Sequence, residues 1–441
     1  MEKERIIERT YTQQVRVKYV KKKDYYPHYD PFHIRLPAVL LEVGVHAPGD
    51  PSKPLDYYAI KQMAKERNID LSRAPEYWLS PSAGVDQYSY GRDPSAKADD
   101  WRVRRNFYKL CATLDLNGAQ TEEVFFKCLF SRPFNLKNRQ ELILYFFAKD
   151  AENGDWYAKA DAFLERYHAE NDETVPAEEL LTENIRNDVL GIETEDELAA
   201  YLEANRSFFV KNTNGYTARM RICELAEECQ KLANEERIRI LDDNDSRQRT
   251  SGDWAYPEDW YDQEIRKRRK YCYKGVTSNM IMDMIVGNLK SRLLIQELHS
   301  VTNGVLPGIV FDNFPTDARL SKILKGEPVS HDVLKKMLVL LYFYCFFSRL
   351  EEALYKGITR DDGTYMFEME ELMSDDLRDE FLFGVDELLL ECGFMQLYYR
   401  NPFDSLFLYA ANSKNPLATF RTILTDSANA GIVRLPSFPS K

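Results

Sequence analysis

The run Met337–Phe347, MLVLLYFYCFF, constrains this chain more than any other stretch. Eleven consecutive apolar residues leave a helix no polar side, so whatever forms there must be covered all round. Lys335, Lys336 and Arg349 flank the run. It is also well short of the ~20 apolar residues that a membrane crossing needs. The run therefore predicts a buried helix, and no membrane partner. Surrounding such a helix takes many apolar side chains, and the chain has them: 44% of its 441 residues are hydrophobic and 13% aromatic. That length exceeds what one core normally serves, so two or three domains are expected. The 27 Tyr and 24 Phe suit helix-packing seams and interfaces equally, since a Tyr ring can be buried while its hydroxyl stays wet.

The cysteines and the N-terminal sequence point to the compartment. Cys111, Cys128, Cys223, Cys229, Cys272, Cys345 and Cys392 form no C-x-x-C pair, and their number is odd. Several lie in apolar runs where a free thiol behaves as a small hydrophobe. This pattern implies a reducing compartment without structural zinc. MEKERIIERTYTQQVRVKYV is charged throughout and lacks the apolar core of a signal peptide, so a cytoplasmic location is expected.

Periodicity predicts a mainly α protein, a multi-helix, bundle-like body with a small α+β N-terminal region. Three parts are expected: residues 1–100, 101–245 and 246–441. In the first, YTQQVRVKYV alternates as a strand does, and RLPAVLLEVGVH is rich in β-branched residues and bounded by Pro and Gly. YYAIKQMAKERN then reads as a short helix. Residues 79–100 are rich in Ser, Pro, Gly and Asp and mark a boundary. In the second part, Thr194 and Glu197 make a capping box ahead of Leu198. Ile222, Leu225, Ala226, Cys229 and Leu232 share one helical face. DDNDSRQRTSGDWAYPEDWYD, residues 242–262, marks the second boundary. In the third part Leu377, Phe381, Val385 and Leu388 form one stripe, and Asn401-Pro402 and Asn415-Pro416 each pair an Asn N-cap with a Pro at the first helical position.

Catalytic signatures are scarce. The chain has no glycine-rich phosphate loop, no G-x-S-x-G elbow and no H-E-x-x-H pair, so no cofactor is implied and an enzyme is the least favoured class. His28, Asp30 and His33 lie close together in PHYDPFHI, but their spacing matches no standard ligand set, and Pro27 and Pro31 favour a surface turn. DDNDS, residues 242–246, opens like a calcium loop but lacks the central Gly and the Glu at the twelfth position. Cys223 and Cys229, six apart on a helix, point in different directions and read as core thiols.

Two stretches carry a nucleic-acid signal. The formal charge of −12 excludes a protein that coats nucleic acid over its whole surface, so contact must come from local basic patches. Arg266, Lys267, Arg268, Arg269 and Lys270 are five consecutive cations, surrounded by Trp254, Tyr256, Trp260, Tyr261, Tyr271 and Tyr273. Cations meet phosphates and flat rings stack on bases. The same run also describes a solvated helix paired with surplus carboxylates.

The second stretch is TDARLSKILKGEPVSHD, residues 316–332. Leu320, Ile323 and Leu324 give a short helix, with Ser321 and Lys322 facing out. Thr316 stands at its N-cap position and Gly326 at its stop. Ser330 caps a following helix that buries Leu334, Met337, Leu338 and Leu341. The pattern Leu320, Ser321, Ile323, Gly326, then Ser330, Leu334, Lys336 and Leu341 resembles the second half of the lambda-repressor-like (Cro and Xre type) helix-turn-helix. The resemblance covers residues 316–341, and it implies that Thr316, Asp317, Arg319 and Lys322 face bases and phosphates of double-stranded DNA. The spacing equally describes a structural helical hairpin. The rest of the chain has the general texture of uncharacterised proteins carried on bacterial mobile elements. The leading expectation is a DNA-binding regulatory or accessory protein. The alternative is a protein-interaction or scaffold component that binds a protein partner and no nucleic acid.

Overall fold

The computed structural model describes residues 32–47, 49–67, 69–71, 78–79, 93–98, 100–136, 138–167, 182–205, 209, 215–249, 272–286, 317–327, 329–357 and 374–421. Among these residues every regular element is a helix and there is no strand. The fold is mainly α. The strand-like YTQQVRVKYV lies outside the described residues. RLPAVLLEVGVH is not a strand: α1 spans Phe32–Glu42 with Pro37 inside it. Phe32, Leu36, Val39 and Leu40 are buried at i, i+4, i+7 and i+8, which is helical spacing, so Pro37 and the valines misled the strand reading.

The helices gather into two buried cores. The first draws on residues 32–202. It contains α1, α2 (Tyr57–Glu66), α3 (Trp101–Thr113), α4 (Gly118–Leu129), α5 (Arg139–Ala148), α6 (Trp156–Arg166), α7 (Thr182–Leu190) and α8 (Glu195–Ala204). A 3-10 turn at Pro94–Lys97 precedes α3. The second core draws on residues 218–420. It contains α9 (Tyr216–Arg249), α10 (Ser278–Val286), α11 (Asp317–Leu324), α12 (His331–Gly357), α13 (Asp375–Glu391) and α14 (Pro402–Ala411). The cores therefore part between Leu202 and Ala218, whereas the sequence places its divisions at residues 100 and 245. Residues 242–249, expected as a linker, continue α9 to Arg249.

Polar groups inside the first core are tied into closed sets. The Arg104 guanidinium meets Glu141 with two bonds of 2.6 Å, and Tyr108 donates to the same carboxylate at 2.8 Å. Arg35 donates to Asp93 at 2.8 Å and to the Cys128 carbonyl, while standing over the Phe130 ring. Buried charges are tolerated when they are paired and hydrogen-bonded in this way. Thr194 and Glu197 form the expected capping box at the start of α8.

In the second core α12 is the axis. Residues 333–341 are all buried, and of the apolar run only Tyr342 and Phe346 are partly exposed. Its longest seam is with α9, where the Cys229 and Cys345 thiols touch at 3.3 Å. Burial pushes the Cys229 thiol up, away from thiolate. Two charges enter this apolar helix. Lys335 donates to Asp404 of α14 at 2.8 Å, and Lys336 pairs with Asp332 and lies over the Phe403 ring. Gly384 of α13 lets the Tyr342 hydroxyl press onto that helix where any side chain would overlap it.

The cores meet at residues 398–400. Tyr398 stands 4.9 Å from the Phe126 ring and 6.0 Å from Phe130, and Arg400 pairs with Glu42 at 2.6 Å. Lys127 shares the same Glu42 carboxylate.

Candidate nucleic-acid interface

The two helices expected between residues 316 and 341 are present over their described part. Leu320 and Ile323 are 2% and 1% exposed and fix α11 to the second core. Three residues apart along the helix, Arg319 and Lys322 are both exposed, as are Ala318 and Leu324. Lys325, just past the helix end, is exposed too. Arg319, Lys322 and Lys325 thus follow one another at three-residue intervals, a spacing that keeps neighbours on one side of a helix.

Gly326 ends the helix in the left-handed conformation, with φ 75°. Its N–H donates to the Ile323 carbonyl at 3.1 Å and the Glu327 N–H donates to Lys322 at 2.8 Å. That is the paired bonding of a Schellman stop, which satisfies carbonyls the helix end would otherwise leave open. Ser330 starts α12, accepting the Val333 N–H on its Oγ at 3.4 Å.

An element far away in sequence holds the turn. Arg219 of α9 donates through Nη1 to the carbonyls of Gly326 and Glu327, at 2.5 and 3.0 Å, and through Nε to Gly215 at 3.1 Å. Charge-assisted bonds of this kind are stronger than neutral ones. Both faces of the hairpin are therefore fixed, one by apolar burial and the turn by a guanidinium.

The site residues expected from sequence are placed as follows. Asp317 opens α11, and Arg319 and Lys322 occupy its exposed side. Thr316, Arg266, Lys267, Arg268, Arg269 and Lys270 lie outside the described residues. Of the aromatic residues around the basic run, Tyr273 is engaged elsewhere. Its hydroxyl bonds to Asp283, its backbone is held by Asn234, and the Arg237 guanidinium stacks on its ring at 3.9 Å. That face is filled by an internal cation and does not serve as a platform for a base. Lys336, part of the motif that carries the helix-turn-helix resemblance, is only 4% exposed. Lys325 is not among the residues expected from sequence; it continues the spacing from Arg319 to Lys322 one step past the helix end.

Family models, curated proteins and solved structures give no match to this chain. Function therefore rests on the residues alone. Among the described residues no group of three His, Cys, Asp or Glu side chains is arranged to hold a metal ion. His33 is half-buried within α1, while His28 and Asp30 lie outside the described residues. No described helix is long and apolar enough to cross a membrane.

Proposed function

We propose that this chain is a DNA-binding regulatory or accessory protein that meets double-stranded DNA through α11. One observation carries the reading: a short helix seated by buried Leu320 and Ile323 presents Arg319 and Lys322 outward, with Lys325 exposed just past its end, beside a turn clamped by Arg219. A recognition helix needs such a combination of exposed cations and a rigid seat, because misplacement costs every groove contact at once. Thr316 and Asp317 would stand at the base-facing start of this helix, and Arg266–Lys270 would supply further phosphate contacts. The overall charge of −12 repels DNA elsewhere, so binding depends on this patch.

The test is fluorescence anisotropy with a labelled 30-base-pair duplex across a salt series. Three phosphate contacts imply a log–log salt slope of about −2.7, or roughly fortyfold weaker binding between 50 and 200 mM salt. Replacing Arg319, Lys322 or Lys325 by Ala is expected to flatten the slope by about one unit each. No retention of duplex at 50 mM salt, or an unchanged isotherm in the triple Ala variant, overturns the proposal. The second reading, a protein-interaction role, draws on a different surface: the exposed acidic side of α13.

A further inference from the structure

Helix α13 carries a surface stripe that no contact among the described residues covers. Its inner side buries Phe381, Leu382, Val385 and Leu389 in the second core. The outer side exposes Asp376, Glu380, Phe383, Glu387 and Leu390, spaced four, three, four and three residues apart along one face. Phe383 is 63% exposed and Leu390 39%. A single exposed apolar residue is ordinary on a protein surface, but two of them two turns apart on an already anchored helix form a ridge. They lie about 10.5 Å apart along the axis, the i, i+7 spacing by which one helix packs along another.

Charge selects what covers that ridge. α13 carries Asp375, Asp376, Asp379, Glu380, Asp386, Glu387 and Glu391 against a single Arg378. Its last turn has no basic residue of its own, although cations are what the C-terminal end of a helix dipole favours. The neighbouring face of α9 adds exposed Glu224 and Glu227, and Arg221 joins the two helices by bonding Glu224 and Glu391. A second copy of the chain would set Glu380 and Glu387 against their own equivalents. DNA phosphates would meet carboxylates.

We infer that the Phe383–Leu390 ridge of α13 docks a cationic amphipathic helix of a separate protein. Its apolar residues would cover Phe383 and Leu390, and its Lys or Arg side chains would pair with Glu380 and Glu387. This surface is separate from α11 and stands whether or not α11 binds DNA.

The probe is a synthetic helical peptide of alternating Leu and Lys at i, i+3, i+4 and i+7, fluorescently labelled and titrated with the full chain. Phe383→Glu and Glu387→Lys are surface changes, and retained circular dichroism and melting will confirm that both variants fold. At 150 mM salt, binding is expected to weaken at least tenfold in each variant. A Lys/Gly peptide of equal charge and no apolar side chains is expected to bind at least tenfold more weakly than the Leu/Lys probe. Glu387→Lys combined with Glu380→Lys is expected to gain binding to a Leu/Glu peptide. Equal binding of the Leu/Lys peptide by the chain and both single variants overturns the inference. Concentration-dependent dimerisation lost in Phe383→Glu overturns it in favour of a second copy. Release of the chain's own Arg266–Lys270 segment to added trypsin in Glu387→Lys alone overturns it in favour of an internal occupant.

Discussion

Replacing Lys335 by Met tests how the second core tolerates charge. The Lys335 ammonium and Asp404 carboxylate are 2.8 Å apart, with side chains only 9% and 1% exposed. Asp404 also accepts the Tyr398 N–H at 3.1 Å. Burial pushes the Asp404 carboxyl up, and Lys335 is the first of the groups that oppose this. Met fills much of the lysine volume, so packing is nearly preserved and the charge alone is lost. Leaving one partner of a buried pair uncompensated costs about 3–5 kcal/mol. With a urea slope near 2 kcal/mol/M, the midpoint of the second core is expected to fall by roughly 1.5–2.5 M. Asp404→Asn in the same background removes the stranded charge and keeps an acceptor for Tyr398, so about half of the loss returns.

The pH dependence has a definite sign. A carboxyl whose folded value is raised keeps a proton that the unfolded chain releases, so its contribution is complete below the unfolded value, about 3.9, and is lost as pH rises through the folded value. Without Lys335 the folded value climbs further. The Lys335→Met loss is therefore expected to be smaller at about pH 5 than at about pH 8. Urea titrations followed by far-ultraviolet circular dichroism, with tryptophan fluorescence reporting separately on the first core, which holds Trp78, Trp101 and Trp156, give both numbers. A single variant within about 1 kcal/mol of the parent, or the same loss at both pH values, refutes the reasoning.

Three further outcomes follow from contacts described above. Gly384→Ala drives a methyl group into the Tyr342 hydroxyl; despite the better helix propensity of Ala, it is expected to destabilise by about 1–3 kcal/mol, with Tyr342→Phe restoring part of that in a double-mutant cycle. Arg219→Met removes three charge-assisted bonds to carbonyls, and amide exchange of Gly326 and Glu327 is expected to rise by roughly tenfold or more, about 1.4 kcal/mol in opening energy, while the α8 capping-box amides keep their rates. Tyr398→Ala is expected to separate the unfolding of the two cores into distinct calorimetric transitions; a single unchanged transition would show that Tyr398 does not couple them.

Local signals in the sequence were legible where short-range chemistry sets the structure. The Thr194–Glu197 box, the Ser330 start, the Gly326 stop and the Asn401 and Asn415 caps all stand where residue type placed them. Each needs only neighbours within a turn. The buried run of α12 was equally plain, because eleven apolar residues have no other soluble solution. The stripe of α13 was placed one position off: Phe381 and Val385 are buried, but Leu382 and Leu389 complete the inner side while Leu377 and Leu388 sit at its margin. Three adjacent leucines, Leu388 to Leu390, leave the edge of a stripe undefined until the neighbouring helices are known.

What escaped was set across long stretches of chain. Lys335 finds Asp404 69 residues later, Arg219 reaches the turn 107 residues on, and Cys229 meets Cys345 after 116. No local period encodes such partners. Hence Lys335 and Lys336, which the sequence places at the flank of a buried run, lie within its packed portion. The hairpin itself was visible from spacing, and so was the outward direction of Lys322. Lys325 lies beyond the last apolar position of the helix, at its cap, where the helical period no longer points to it.

The junction at residues 398–400 sets an order of assembly. All the residues of the first core have been synthesised once position 202 is reached, and that core can then close while the rest of the chain is still being made. The groups that join it to the second core, Tyr398 and Arg400, arrive about 200 residues later, roughly 10–40 s at ordinary synthesis rates. Phe126 waits that long for Tyr398, and Glu42, already paired with Lys127, waits as long for its second cation. The surface made by Phe126 and Phe130 is therefore complete in the chain well before the segment that covers it has been made.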